Sequence, residues 1–177
     1  MKVSHVDDGV ICFLGIGSNI GDAAANCAVA ERYISDIGGV AVLRRSSLYR
    51  TQPVGVEGQE WFVNGVIEVR TALGPHSLMD AILDVEDKMG RVRNGKWSPR
   101  VIDIDILFYG QVVLNEEGLI IPHPRLHKRR FVLVPLDEIA PHAIHPAFGV
   151  SVRGLLDRLQ DTNTVEWLSG EWDRPCG

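Results

Sequence analysis

Apolar positions along this chain follow two rhythms, and the switches between them predict its elements. "VICFLGI" (Val10 to Ile16) is a short continuous apolar run, the pattern of a buried strand. It leads into "GSNIGD", a turn rich in Gly, Ser, Asn and Asp that can open a helix. From Asp22 to Ile37 the chain is rich in alanine, and Val29, Tyr33 and Ile37 recur four apart, predicting one helical face that Gly38-Gly39 ends. "VAVLRRSSLYRT" (Val40 to Thr51) reads as one strand and "WFVNGVIEVRT" (Trp61 to Thr71) as the next, across the loop "QPVGVEGQE". In "GPHSLMDAILDVEDKMG", Leu78, Ile82, Val85 and Met89 line one face of a second helix that starts near Pro75 or Ser77 and stops at Gly90. "VIDIDILFYG" (Val101 to Gly110) is the fourth strand.

Strand, helix, strand, strand, helix, strand is the order of an α+β, ferredoxin-like fold, β-α-β-β-α-β. The residues after Gly110 are C-terminal elaborations. "FVLVPLDEIAP" is a short helix, or a strand with a helical turn, and "SVRGLLDRL" is a short helix. Residues 1–9 and 171–177 are expected to be flexible, leaving one domain over 10–170. A length of 177 residues with 45% hydrophobic composition suits one core. The formal net charge of -5 argues against nucleic-acid or anionic-membrane partners, so any grip on an anion must come from a local basic patch. Cys12, Cys27 and Cys176 form no C-x-x-C pair, which implies reduced thiols in a cytoplasm. No signal peptide and no membrane-length apolar run is apparent.

The fourth strand carries the candidate chemistry. Asp103 and Asp105 are two apart and therefore share a face, opposite Ile102, Ile104 and Ile106. Neighbouring carboxylates repel unless something positive joins them. Upstream, "GRVRNGKWSPR" supplies Arg91, Arg93, Lys96 and Arg100; downstream, "PHPRLHKRRF" supplies His123, Arg125, His127, Lys128, Arg129 and Arg130. An acidic pair flanked by basic segments fits a polyphosphate held through a divalent cation, because carboxylates bind hard cations and guanidiniums take phosphate oxygens in pairs. "GIGSNIG" fails the G-x-G-x-x-G spacing, so Gly17, Ser18 and Asn19 read as a strand-to-helix turn. Trp97 sits in a polar loop without apolar partners, as a residue closing over something flat would. Phe62 and Asn64 share a strand face and could stack on a heterocycle and bond its edge.

Taken in order, "GIGSNIGD", "SSLYRTQPVG", "FVNGVIEV", "VEDKMGRVR", "KWSPRVIDIDIL" and "IPHPRLHKRRFVLVPLDEIAP" resemble the 6-hydroxymethyl-7,8-dihydropterin pyrophosphokinase family over nearly the whole chain. The resemblance implies a ferredoxin-like catalytic domain that transfers pyrophosphate from ATP to the pterin in folate biosynthesis, leaving AMP. It implies two Mg2+ ions on Asp103 and Asp105, with Arg91 and Arg100 joining them as catalytic residues. ATP contacts carry over to Glu86 (ribose), Arg91, Arg93, Trp97, Arg100, His123 and Arg129. Pterin contacts carry over to Thr51, Val54, Phe62, Asn64, Trp97 and Phe131. Arg91, Arg93 and Trp97 match a loop that closes over the substrates. ATP and the pterin are the expected partners, with no obligate protein partner. Phe62, Ser98, Gly118, Ile120 and Gln52 depart from common family residues. The rival readings are a two-metal phosphohydrolase, which leaves Asn64 and its aromatic neighbours idle, and a non-catalytic binding domain, which leaves the aspartate pair unexplained.

Overall fold

A computed structural model describes residues 8–55, 57–92 and 100–172. In chain order the elements are β1 (Val10–Ser18), α1 (Ala23–Ser35), β2 (Val40–Arg45), β3 (Leu48–Thr51), β4 (Phe62–Thr71), α2 (Pro75–Lys88), β5 (Asp103–Tyr109), β6 (Leu114–Glu116), β7 (Leu119–Ile121), a short 3-10 turn (Leu126–Lys128), α3 (Arg130–Ile139), α4 (Val152–Asp157) and β8 (Val165–Ser169). The main sheet runs β5-β1-β4-β3-β8, with β2 also paired to β4. All of these pairings are antiparallel. The molecule is thus a mixed α and β protein on an antiparallel sheet. Among the described residues no helix is long and apolar enough to cross a membrane.

The sheet's two faces bury different cores because strand side chains alternate. Cys12, Leu14 and Ile16 of β1 and Ile104 and Ile106 of β5 join Cys27, Ile34, Leu78 and Ile82 beneath α1 and α2. Phe13 of β1, Val66 of β4 and Leu107 of β5 join Leu133, Leu136, Val152 and Leu155 of α3 and α4 on the other face. The β1–β5 register slips between Phe13 and Leu14, and Leu107 and Phe108 consequently contribute to the same core despite being adjacent.

Helix α2 buries Leu78, Ile82 and Val85 as its periodicity predicts. Gly90 follows with φ +80, the left-handed geometry that ends a helix. Helix α1 differs from expectation. It starts where Asp22 accepts a hydrogen bond from Ala25 N (3.1 Å), but it buries Cys27, Ala30, Glu31 and Ile34 rather than Val29, Tyr33 and Ile37. Tyr33 is exposed. The buried positions still have i, i+3, i+4, i+7 spacing. Small side chains let the helix lie close to the sheet, and a reading weighted toward large apolar residues passed over them.

The strand expected over 40–51 is broken in two at Ser46-Ser47. Ser46 N donates to Val66 O (2.8 Å), while Ser46 Oγ accepts from Val66 N (2.9 Å). Ser47 N and Oγ donate to Glu138 of α3, as does Tyr49 Oη (2.6 Å). The serine side chains therefore supply bonds that a continuous ladder would have made. Trp172, placed in the tail by the sequence reading, is instead buried against this break: Nε1 donates to Ser46 O at 2.7 Å, and its ring fills the space over Gly65. A Cβ on Gly65 would lie 2.5 Å from that ring. Trp172→Phe keeps the filler and strands the Ser46 carbonyl, so denaturant unfolding is expected to register a loss of about 1–3 kcal/mol. The β6–β7 hairpin and β8 have no counterpart among the predicted elements; both are short, and β8 is held by pairing with β3 rather than by a local pattern.

Candidate active site

Helix α3 covers only part of its sheet face, and a cavity of about 560 Å³ opens on the same face, within the usual size for a small-molecule site. Its floor is three strands wide. β1 pairs Gly17 with Asn64 of β4 on one side and with Asp103 of β5 on the other. Strands lie about 4.8 Å apart, so the backbones that carry the Asn64 amide and the Asp103 carboxylate stand about 10 Å apart with a glycine between them.

The acidic end is built from β5 and two arginines. Asp103 Oδ1 accepts from Arg91 Nη1 (2.9 Å) and Oδ2 from Arg100 Nη1 (2.8 Å). Arg91 is itself held by Glu86 Oε1 (2.6 Å), which also accepts the backbone N–H of Ile104 (2.8 Å). Glu86 is 1% exposed and is not among the cavity-lining residues; its carboxylate fastens α2 to the strand between the two aspartates, whereas the expectation from the resemblance was a ribose contact. Asn19 does related work on Arg100, whose N–H it accepts at Oδ1 (2.7 Å) while its own N–H donates to Arg100 O (3.0 Å).

Asp105 lines the cavity beside this pair, with its side chain 36% exposed. Burial, then Asp103 and Glu86, push its carboxyl up to about 7, against the pull of Arg129 and Arg100. Among the described residues its one ion-pair contact is His123 Nε2, at 4.0 Å. Burial and Arg129 push His123 down to about 4, so the imidazole is neutral near pH 7 and adds no charge to offset Asp105. A hard cation fits that deficit. No group of three or more His, Cys, Asp or Glu among the described residues closes on one point, so an ion here would fill its shell with phosphate oxygens and water.

The basic wall comes from the segment between β7 and α3. His123, Arg125, Lys128 and Arg129 line the cavity, and the Arg129 guanidinium lies 5.4 Å from the Phe131 ring centre. Thr51, Val54, Phe62 and Asn64 line the rest of the cavity, and Phe131 lies between them and the Arg129 guanidinium. Asn64 Nδ2 donates to Thr51 Oγ1 (2.7 Å), which fixes the amide edge-on to the cavity.

Apart from Glu86, every predicted site residue within the described chain lines this cavity. Arg93 and Trp97, with Lys96 and Ser98, lie outside the described residues. Gly118 takes φ +82 in the β6–β7 turn and Ile120 is exposed on β7; neither lines the cavity, so those departures fall on the hairpin. Gly17, Asn19, Arg125 and Lys128 were not singled out as site residues. The signal for the first two was the polar turn "GSN" directly after a buried strand.

Comparison with known proteins narrows the chemistry. Residues 13–141 match the family model of 7,8-dihydro-6-hydroxymethylpterin-pyrophosphokinase. The chain is 45% identical over 154 residues to the 2-amino-4-hydroxy-6-hydroxymethyldihydropteridine pyrophosphokinase of Methylorubrum extorquens, covering 87% of this chain and 96% of that one. It is 40% identical over 129 residues to the Bacillus subtilis protein of that name, covering 73% and 77%. In fold it is similar to a solved HPPK-DHPS of Plasmodium falciparum, with TM-score 0.68 and 16% identity over 85% of this chain and 43% of that longer one.

Proposed function

The chain belongs to the 7,8-dihydro-6-hydroxymethylpterin-pyrophosphokinase family, and from that premise we propose how its cavity divides the reaction. The activity is transfer of pyrophosphate from ATP to 6-hydroxymethyl-7,8-dihydropterin in folate biosynthesis. The pterin occupies the end formed by Thr51, Val54, Phe62, Asn64 and Phe131, where rings border a flat ligand and the fixed Asn64 amide reads its edge. The triphosphate lies along Arg91, Arg100, His123 and Arg129, with Arg125 and Lys128 extending the basic wall. Trp97 and Arg93 lie outside the described residues; the resemblance carries substrate contacts to both.

Asp103 and Asp105 hold magnesium in this reading. Bound there, the metal neutralises the triphosphate and polarises the β-phosphoryl group. The protein's own part is positional. Arg91 and Arg100 fix Asp103 from two sides, and their guanidiniums line the cavity where phosphate oxygens would lie. Asn64 sets the ring so that its hydroxymethyl oxygen crosses the Gly17 floor toward the β-phosphorus; that oxygen bonds to phosphorus and gives up its proton, which is released to solvent, the β-phosphorus–oxygen bond of the α–β bridge breaks, and AMP departs with the bridging oxygen. Water excluded from the cavity cannot compete for the same phosphorus.

The carrying observation is the opposition, in one cavity, of a ring-sized end with a fixed amide and an acidic end short of positive charge. Several features support the finer readings as well. The order β5-β1-β4 followed by β2 and β3 in one strand position, over two helices, supports a ferredoxin-like core. Residues 10–170 as one catalytic domain, in a cytoplasm, fit the same picture. With ATP, magnesium and pterin supplied, AMP is expected only when pterin is present. Phosphate released at the same rate without pterin would identify a phosphohydrolase instead.

A further inference from the structure

We propose that Gly17 is a positioning residue for pterin recognition: having no side chain, it leaves the space that the Asn64 amide oxygen occupies. The inference rests on the reading of Asn64 as the residue that bonds the pterin edge. A Cβ built on Gly17 would stand 2.3 Å from Asn64 Oδ1 and 3.4 Å from its Cγ, and the next nearest atom is Val63 O at 3.7 Å. The first of these is far inside van der Waals contact. The backbone does not explain the glycine, because Gly17 is absent from the residues with positive φ and its strand geometry suits any residue. Nor is bareness general along this strand. Gly15, on the same face, would meet only Leu107 at an ordinary 3.5 Å.

The amide cannot evade an added methyl. Its Nδ2 is tied to Thr51 Oγ1 at 2.7 Å, and Thr51 is 1% exposed. A side chain at position 17 therefore rotates Asn64 off its edge-on pose and breaks that bond. Asp103, the other cross-strand neighbour of Gly17, contributes none of the three nearest atoms, so the disturbance falls on the ring end of the cavity rather than on the triphosphate end. Position 17 thus sets how strictly the ring is read, separately from how phosphate is held.

The test is steady-state kinetics and melting of Gly17→Ala, Asn64→Ala, the double variant, and Gly15→Ala. Gly17→Ala is expected to raise the KM for pterin about tenfold, the loss of roughly one hydrogen bond, with the KM for ATP within about twofold of wild type. In the Asn64→Ala background the added methyl has no further effect on the KM for pterin, and any lost melting temperature is restored because the collision is gone. If Gly17→Ala alone does not fold, a folded double variant supports the proposal and an unfolded one overturns it. A Gly17→Ala effect that persists undiminished without Asn64, or an equal effect from Gly15→Ala, also overturns it. Should Asn64→Ala leave the KM for pterin unchanged, the pterin-site reading fails first and Gly17 falls with it.

Discussion

Asp105→Ala is expected to lower turnover by about three orders of magnitude, the worth of roughly 4 kcal/mol of lost transition-state stabilisation, while leaving the fold intact. The two halves of this result come from one geometry. Asp105 opens onto the cavity, and among the described residues its one ion-pair contact is a neutral imidazole 4.0 Å away, so its charge serves something that binds there. The sign of its titration predicts the stability. A carboxyl raised from its ordinary value toward 7 favours the folded state at low pH, and that advantage is lost as pH climbs through about 7. At pH 8, without metal or nucleotide, the folded protein carries an ionised carboxylate it accommodates poorly, and Asp105→Ala melts no lower than wild type. Asp103→Ala loses turnover similarly but melts lower, because it strips Arg91 and Arg100 of their shared partner. AMP release paired with thermal melts checks both variants. An Asp105→Ala enzyme within tenfold of wild-type turnover would falsify the metal assignment.

Glu86→Ala is the variant with the largest expected effect on folding, a loss of about 3 kcal/mol, since it removes one of the two carboxylates that hold a largely buried guanidinium and leaves Arg91 with Asp103. The Glu86 side chain is 2% exposed and its partner Arg91 is 15% exposed. The substitution also orphans the backbone N–H of Ile104, which lies between the two aspartates. Turnover falls with stability, because the Asp103 clamp loses the brace behind Arg91. Glu86→Gln keeps an acceptor for Ile104 and recovers part of the stability. Denaturant titration distinguishes this role from a ribose contact: an exposed ribose ligand would raise the KM for ATP and barely move the unfolding midpoint.

The contrast between Glu86 and the aspartates shows which parts of the site were legible in the sequence. Asp103 and Asp105 stood out because period-two alternation places them on one face of an otherwise apolar strand, and local spacing is visible without a fold. Asn64 and Phe62 were readable for the same reason. Glu86 sits on a helix whose apolar stripe was clear, yet nothing local says that its carboxylate points inward at a strand nearly twenty residues on. Gly17 was harder still, since what matters there is a missing side chain whose value appears only once β4 lies alongside β1. The four core strands and both covering helices were legible from pattern. The break at Ser46-Ser47 was not, because serine side chains replaced ladder bonds that the sequence reading assumed were continuous.

The indole of Trp172 has a consequence for how the protein is made. Its bond to Ser46 spans 126 residues. At a synthesis rate on the order of ten residues per second, roughly ten seconds pass between the arrival of one partner and the other. Throughout that interval the nascent sheet carries a hollow over Gly65, and β3, which ends in Thr51, waits on the ribosome for both this wedge and its outer neighbour β8. Strand β3, which carries Thr51 of the ring-binding end, is therefore the last strand of the main sheet to gain both of its neighbours.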